Sequence, residues 1–313
     1  MLQKLSAQQA GGRGGDVTIS TTARLQAGQR DELAEFIAAV AAADGLAPLS
    51  EYKALRIGGA IDIREQVLLD TGGGVVGYGQ AAWHGPGGGV AGHWALEAAI
   101  LPAYRRPGAV IALVSALRND LEGEMTLWCR QAYVGRAAET IGWRRDRSLW
   151  EMRRSLPIEE LDTELPGFRI ATFKTGADEA AWLEVNNAVF AGHPENGNMT
   201  RHDLEMRMAQ PWFDPAGFFL VWEDGGLVGS CWTKMHDGGV GEIYIVGVTP
   251  GKEGRGIGTR LVAMGLDYLA RRRQASQAML YVESANDRAV RMYRRLGFAV
   301  IREVVAYRPG PNA

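Results

Sequence analysis

Three glycines at alternate positions, Gly254, Gly256 and Gly258, stand in the run TPGKEGRGIGTR where an alternating apolar segment gives way to a helical period. Glycine there lets the backbone turn tightly and brings N–H groups close to an incoming anion. The helix that follows adds four unpaired N–H donors and the positive end of its dipole. A pyrophosphate is the natural guest of such a corner. Ahead of it, GEIYIVGV places Glu242 four residues before Val246, so an unbroken strand turns both to one face about 13 Å apart. Beyond it, in RAVRMYRRLGF, Tyr293 shares a helix face with Ala289 and Leu296. An anion site flanked by a carboxylate and a phenol is a reaction centre in outline.

Other nucleotide signatures fail. The P-loop needs GK[ST] after its spacing, which is absent, and the dinucleotide fingerprint needs GxGxxG where this corner reads GxGxG. Gly72, Gly74 and Gly77 do spell GxGxxG, but Val75, Val76 and Tyr78 continue as a strand, so that match is a hairpin turn. On spacing alone the corner is either an anion site or a plain glycine-rich loop.

The elements that must position these residues follow from periodicity. Strands are expected at 217–223, 227–235, 240–248, 277–283 and 299–307, with helices at 178–190, 256–272 and 287–296. Ile257, Leu261, Met264 and Tyr268 give the helix after the corner one apolar face, which fixes it against the sheet. Further upstream, a helix over 30–43, a helical or turn segment near 49–57, and the strands EQVLLD and GVVGYGQAAW make a similar opening. The acidic, proline-bearing stretch LPIEELDTELPG at 156–167 marks a boundary between two halves.

The halves repeat one another. VVGYGQAAWH at 75–84 matches LVGSCWTKMH at 227–236, Pro102 and Gly108 match Pro250 and Gly256, and ETIGWRR matches RRLGFAV. Such self-similarity reads as a duplicated α/β domain. The chemistry is kept in the second half only. In the first, Val110 stands at the position of Gly258, Pro107 removes a backbone donor at the position of Arg255, and Ala138 stands at that of Tyr293. His84 and His236 both end tryptophan-bearing strands, and their repetition in the half that lacks the phenol assigns them turn or packing roles. His193 is a weaker candidate for a base.

Composition excludes several classes. The 313 residues suffice for two cores and are 46% apolar, and 34 Lys and Arg against 36 Asp and Glu do not make the basic footprint of a nucleic-acid binder. Cys129 and Cys231 have no paired or ligand spacing, and the five histidines form no zinc pattern, so neither a metal nor a disulfide framework is expected. No run of 18 apolar residues occurs, and residues 1–16 do not read as a secretory signal, so neither a membrane span nor secretion is expected. A cytoplasmic monomer with a small-molecule partner is expected, after a flexible Gly-rich tail at 1–17.

Together, GVTPGKEGRGIGTRLV and LYVESANDRAVRMYRRLGF resemble the GCN5-related N-acetyltransferase superfamily, the first as its acetyl-CoA pyrophosphate loop, the second as the strand and helix flanking the acyl thioester. The tandem arrangement, with ADGLAPLSE, NNAVFAGHPENG, WTKMH, GEIYIVGV and YVESANDRAV, is similar to the mycothiol synthase family over nearly the whole chain. The resemblance implies two tandem α/β acetyltransferase folds, each a mixed, mostly antiparallel sheet flanked by helices. It implies a degenerate N-terminal domain at 18–155, a linker at 156–167 and a catalytic domain at 168–313. The implied reaction moves acetyl from acetyl-CoA to the cysteinyl amine of a cysteinyl-glucosaminyl-inositol in a ternary complex.

Residue roles follow from the resemblance. Glu242 would be the general base acting through water, and Tyr293 the acid that protonates the departing sulfur. Val246, Gly247 and Val248 would present backbone groups to pantetheine, with Val246 or Val248 as oxyanion donor. Glu253, Gly254, Arg255, Gly256, Ile257, Gly258 and Thr259 would form the pyrophosphate loop. Glu253 departs from the family's Gln or Arg, so its carboxylate faces a polyanion unless it points away. Asn286 would cap its helix or meet the pantetheine arm, and Arg291 would reach the phosphates. Glu51, Glu195, Lys234 and Tyr281, with Glu242, would contact the acceptor. A different amine acceptor, such as an aminoglycoside or a protein N-terminus, and a non-catalytic acyl-CoA sensor remain open alternatives.

Overall fold

The computed structural model describes residues 17–22, 27–58, 62–85, 91–119, 121–158, 162–191 and 198–311, with burial described from residue 31 onward. The chain forms two compact units: Met1–Gly85, Gly92–Ser148 and Val304–Ala313 make the first, and Pro86–Ala91 with Leu149–Glu303 make the second. Among the described residues no helix is long and apolar enough to cross a membrane.

In the first unit the order is β1 (Val17–Thr22), α1 (Ala27–Asp44), α2 (Glu51–Ala54), β2 (Ile63–Asp70), β3 (Val75–His84), β4 (His93–Ile100), α3 (Pro107–Arg118), β5 (Glu124–Cys129) and α4 (Ala132–Thr140). The strands lie side by side in the order β1 to β5, antiparallel except for the parallel pair β4–β5. One face buries Leu113, Val114 and Leu117 of α3 with Leu96 and Leu127, and the other buries Leu33, Phe36 and Val40 of α1 with Tyr78. The turn Thr71–Gly74 joins β2 to β3, with Gly73 at φ 86° and Asp70 accepting from the Gly72 and Gly74 N–H groups. The GxGxxG match there is therefore a hairpin, as its strand pattern predicts.

The second unit takes up β6 (Trp143–Ser155) from Leu149 onward. It continues with β7 (Arg169–Thr172), α5 (Glu179–Val189), α6 (Arg201–Met208), β8 (Phe218–Glu223), β9 (Gly226–His236), β10 (Val240–Val248), α7 (Ile257–Arg271), β11 (Gln277–Glu283), α8 (Asp287–Arg295) and β12 (Ala299–Pro309) as far as Glu303. Its sheet order is β7-β8-β9-β10-β11-β6, again with one parallel pair, β10–β11. The apolar stripe of α7 behaves as its period requires, with Ile257, Leu261, Met264 and Tyr268 all buried. α6 is a helix that periodicity alone does not reveal; Thr200 and Asp203 form a reciprocal capping box at its start.

The units are divided differently from the sequence-based boundary at 156–167. Residues Leu149 to Ser155 of β6 pair with β11 in the second unit, and Val305 to Tyr307 of β12 pair with β5 in the first. The cause lies in β11, which pairs with β10 over only three residues and whose other edge is satisfied by β6 along its whole length.

Two irregularities in β10 shape everything built on it. It runs parallel with β11 only from Val240 to Glu242, opposite Gln277 to Met279, after which the two strands part. Against β9 it carries a bulge: Ile243 pairs with Thr233 but Ile245 pairs with Trp232, so Tyr244 is an extra residue. The extra residue reverses the side-chain alternation beyond it.

Candidate active site

Glu242 is the last residue of the parallel pair, at the fork where β10 and β11 separate. Its cross-strand partner is Lys234, on the face of β9 that also carries Trp232. Val246 pairs with Cys231, on the opposite face. The expectation that Glu242 and Val246 share a face is therefore wrong, because the bulge at Tyr244 lies between them. The carboxylate belongs to the side covered by α5 and α6, where Trp182, Trp232 and Tyr244 pack, and Val246 to the side covered by α7 and α8.

Glu242 is 6% exposed, and its Oε2 lies 2.6 Å from His236 Nε2. The packing or turn role expected of His236 is incomplete: its imidazole is the hydrogen-bond partner of the candidate base. His84, its counterpart, does pack, stacking between Tyr52 at 4.7 Å and His93 at 5.2 Å. The difference lies in the neighbouring strand, where Ala95 stands opposite Ala82 as Glu242 stands opposite Lys234.

From the fork a cleft of about 860 Å³ opens between β10 and β11. It is lined by Ile243 to Val248, by Glu253, Gly254 and Gly256 to Thr259 of the glycine corner, and by Tyr281, Asn286, Arg291 and Tyr293. Thr249 donates its N–H to Val228 O in β9, so alternation turns the Val248 and Val246 N–H groups toward the opening. Gly247 is required by packing, since a Cβ there would meet Val189 of α5 at 2.6 Å.

The corner has the geometry its glycines predict. Gly254 and Gly256 sit at φ 80° and 81°, and Gly256 is the N-cap residue of the 15-residue α7. A Cβ on Gly258 would meet only Val248 at 3.6 Å and Met292 at 3.9 Å, ordinary contacts, so the bare backbone there is space left in the cleft rather than a demand of the fold. A diphosphate fits this cradle of helix N-terminal N–H groups. Glu253 lines the cleft with its Oε2 already engaged, accepting from the Gly251 N–H at 2.7 Å. Arg255 is not part of the lining; its guanidinium grips Glu223 through two hydrogen bonds of 3.0 and 2.6 Å, joined by Lys252 at 2.8 Å. These two cations, Arg255 first, hold the Glu223 carboxyl down at about 2.

Tyr293 is 6% exposed and packs edge-on against Phe298. Burial pushes its phenol well above the usual value, with the Cys231 thiol acting in the same direction. Asn286 caps α8, its Oδ1 accepting from the Ala289 N–H at 3.1 Å. Lys234 is outside the cleft lining, its Nζ over the rings of Trp212 at 4.6 Å and Tyr244 at 5.3 Å. Glu51 begins α2 in the first unit. Glu195 and His193 lie outside the described residues. Sequence reasoning missed Glu283, Arg288, Arg295, Asn186 and Met199 in the lining. For Asn186, its place in the quoted run NNAVF was a signal without a period to orient it.

Comparison with known proteins gives the family and the fold. Residues 182–298 match the Acetyltransferase (GNAT) family. A mycothiol acetyltransferase of Thermobispora bispora is 39% identical over 93% of this chain and 100% of its own length. One of Thermomonospora curvata is 41% identical over 86% of this chain and 89% of its own. The chain belongs to the mycothiol acetyltransferase family. It is thereby an acetyl-CoA-dependent N-acetyltransferase. The fold is shared with a tandem GNAT protein from the clavulanic acid biosynthesis pathway, at a TM-score of 0.70 and 16% identity over 95% of this chain and 100% of that one. A GCN5-related N-acetyltransferase from Sphaerobacter thermophilus gives a TM-score of 0.64 at 24% identity, over 94% and 98%.

Within this family member the first unit's counterpart of the cleft is filled. β4 and β5 stay paired over five residues, from His93–Glu124 to Glu97–Trp128. Beyond them, the position of Val248 is taken by Ile100, whose N–H donates to Tyr133 OH at 2.8 Å. The same hydroxyl donates to Ile100 O at 3.2 Å, and Arg105 Nε donates to that oxygen at 2.9 Å.

Proposed function

We propose that the second unit acetylates the cysteinyl amine of a cysteinyl-glucosaminyl-inositol, the last step in making mycothiol, with both substrates bound together. The observation that supports catalysis there is the joint occurrence of a forked β10–β11 pair, a buried carboxylate at the fork and a buried phenol in the cleft. The first unit has Ala95 and Ala138 at the last two positions. The acceptor's identity rests on kinship with enzymes named mycothiol acetyltransferase.

Acetyl-CoA supplies the activated acyl thioester. The corner at 254–259 binds its diphosphate, and the N–H of Val246 or Val248 donates to the acyl oxygen, a contribution of roughly 3 kcal/mol for one such donor. Glu242 takes the amine's proton, a modest task because an α-amine has a free pKa of about 7.7 to 8.0. Tyr293 holds a proton on its phenol oxygen for the departing sulfur. The bulge gives the arrangement two sides: the carboxylate serves the amine from the α5–α6 face, while Val246 and Tyr293 serve the acyl group from the α7–α8 face. Glu195, Lys234 and Tyr281 are the proposed contacts to the sugar and inositol hydroxyls, and Arg291 and Asn286 those to the carrier. The first unit is proposed as a scaffold.

An acceptor panel at fixed acetyl-CoA tests this. The cysteinyl glycoside should turn over best, with one CoA thiol released per amide formed. Turnover of another amine with none of the glycoside would replace the acceptor, and no thiol release with any amine would leave a sensor.

A further inference from the structure

The carboxylate of Glu242 has one oxygen already committed. Oε2 meets His236 Nε2 at 2.6 Å, and an ionised carboxylate only accepts hydrogen bonds, so Nε2 carries the proton and donates it. Lys234, directly opposite on β9, holds its Nζ over the rings of Trp212 and Tyr244. The two side chains differ in exposure: Glu242's is 8% exposed and His236's 35%. The imidazole thus sits between a buried carboxylate and the surface.

The hairpin holds this arrangement. Asp237, Gly238 and Gly239 turn the chain between β9 and β10, with both glycines at positive φ, and His236 pairs with Val240 at its mouth. That register sets the imidazole one step diagonally from Glu242 on the same face. In the first unit, with Ala95 at the corresponding strand position, the matching histidine packs between Tyr52 and His93 instead. The imidazole follows the carboxylate.

We propose that His236 is a positioning residue for the acetyl transfer. Its Nε2–H fixes the rotamer of Glu242 and occupies Oε2, leaving Oε1 as the oxygen that takes the proton from the amine or its bridging water. This rests on the reading of Glu242 as the base. A side chain with three rotatable bonds, buried without that anchor, would present its oxygens in several directions, and small misplacements of reacting groups are costly.

The test uses the full-length protein and two readouts. Nitrogen-edited NMR should show a low-field imidazole N–H for His236 that disappears in His236→Ala and moves upfield in Glu242→Gln. With the cysteinyl glycoside, His236→Ala should lower kcat by about tenfold or more while the KM for acetyl-CoA changes less than about twofold. His236→Gln, which keeps an N–H donor, should recover most of that loss. An unchanged kcat in His236→Ala, a resonance indifferent to Glu242→Gln, or a glutamine variant no better than alanine would overturn the role. A wild type that turns over no amine, with a resonance that still answers to Glu242→Gln, would sink the functional reading while supporting the pairing.

Discussion

His236 Nε2 and Glu242 Oε2 stand 2.6 Å apart at the end of a hairpin, and Glu242 is also the last residue to pair with β11 before that strand departs. The carboxylate stands at the fork beside the cleft rather than in its lining, buried against its own sheet. Glu242→Gln preserves the volume and an acceptor for the imidazole, so the fold should be kept. The amide cannot take a proton from an amine. Turnover should fall 10² or more with little change in the KM for acetyl-CoA. Steady-state kinetics decide it; undiminished kcat would remove Glu242 from the role.

Tyr293→Phe should leave the edge-on packing against Phe298 intact and remove only the hydroxyl. The expected loss in kcat is about 10² or more. Burial raises this phenol, so its neutral form is favoured in the fold; the associated stability is present below the unfolded value near 10 and is lost as pH rises through the higher folded value. The proton donor thus stays loaded through the neutral and mildly alkaline range. A kcat profile from pH 7 to 10 checks this: an alkaline limb near pH 8 or 9 that vanishes in Tyr293→Phe would contradict it.

Much of this was legible in the sequence because it depends on local pattern. The apolar period of α7 and the glycines at positive φ are each written in a few consecutive residues, and so is the repeat that shows one half lacking the phenol. The bulge was not legible. GEIYIVGV reads as an unbroken strand, and nothing in its composition says that Tyr244 is unpaired; the extra residue shows only in the pairing with β9, where Ile243 meets Thr233 and Ile245 meets Trp232. The same holds for His236, whose pairing depends on register across the hairpin and not on its own strand. That the unit boundaries fall inside β6 and β12 depends on where β10 and β11 part, a long-range property that a boundary drawn from prolines and acids does not register.

Two glycine substitutions separate fold from binding at the corner. Gly256 sits at φ 81°, so Gly256→Ala forces a side chain into the left-handed region at a cost of about 1–2 kcal/mol, lowering Tm as well as acetyl-CoA affinity. At Gly258 the added methyl meets nothing closer than 3.6 Å in the first turn of α7, where alanine is favoured over glycine by up to about 1 kcal/mol. Gly258→Ala should therefore keep or raise Tm while raising the KM for acetyl-CoA. Thermal melts and steady-state kinetics on both variants are the check, and an unaltered KM in Gly258→Ala would place the diphosphate elsewhere.

Acetyl-CoA should bind once per chain. In the first unit, the backbone groups of Ile100 that correspond to those of Val248 are already bonded by the Tyr133 hydroxyl and the Arg105 guanidinium. Arg105 is in turn held by Asp44 at 2.8 Å and lies over the Tyr133 ring at 4.4 Å, so freeing Ile100 means dismantling a partly buried ion pair and a stacked contact together. Pro107 at the first turn of α3 offers no N–H, and the side chain of Val110 takes the place that Gly258 leaves bare. Isothermal titration of the full chain should give a stoichiometry of one, and Gly258→Val should abolish it altogether. A stoichiometry of two in the wild type, with one site surviving Gly258→Val, would show that the first unit takes the carrier despite Tyr133.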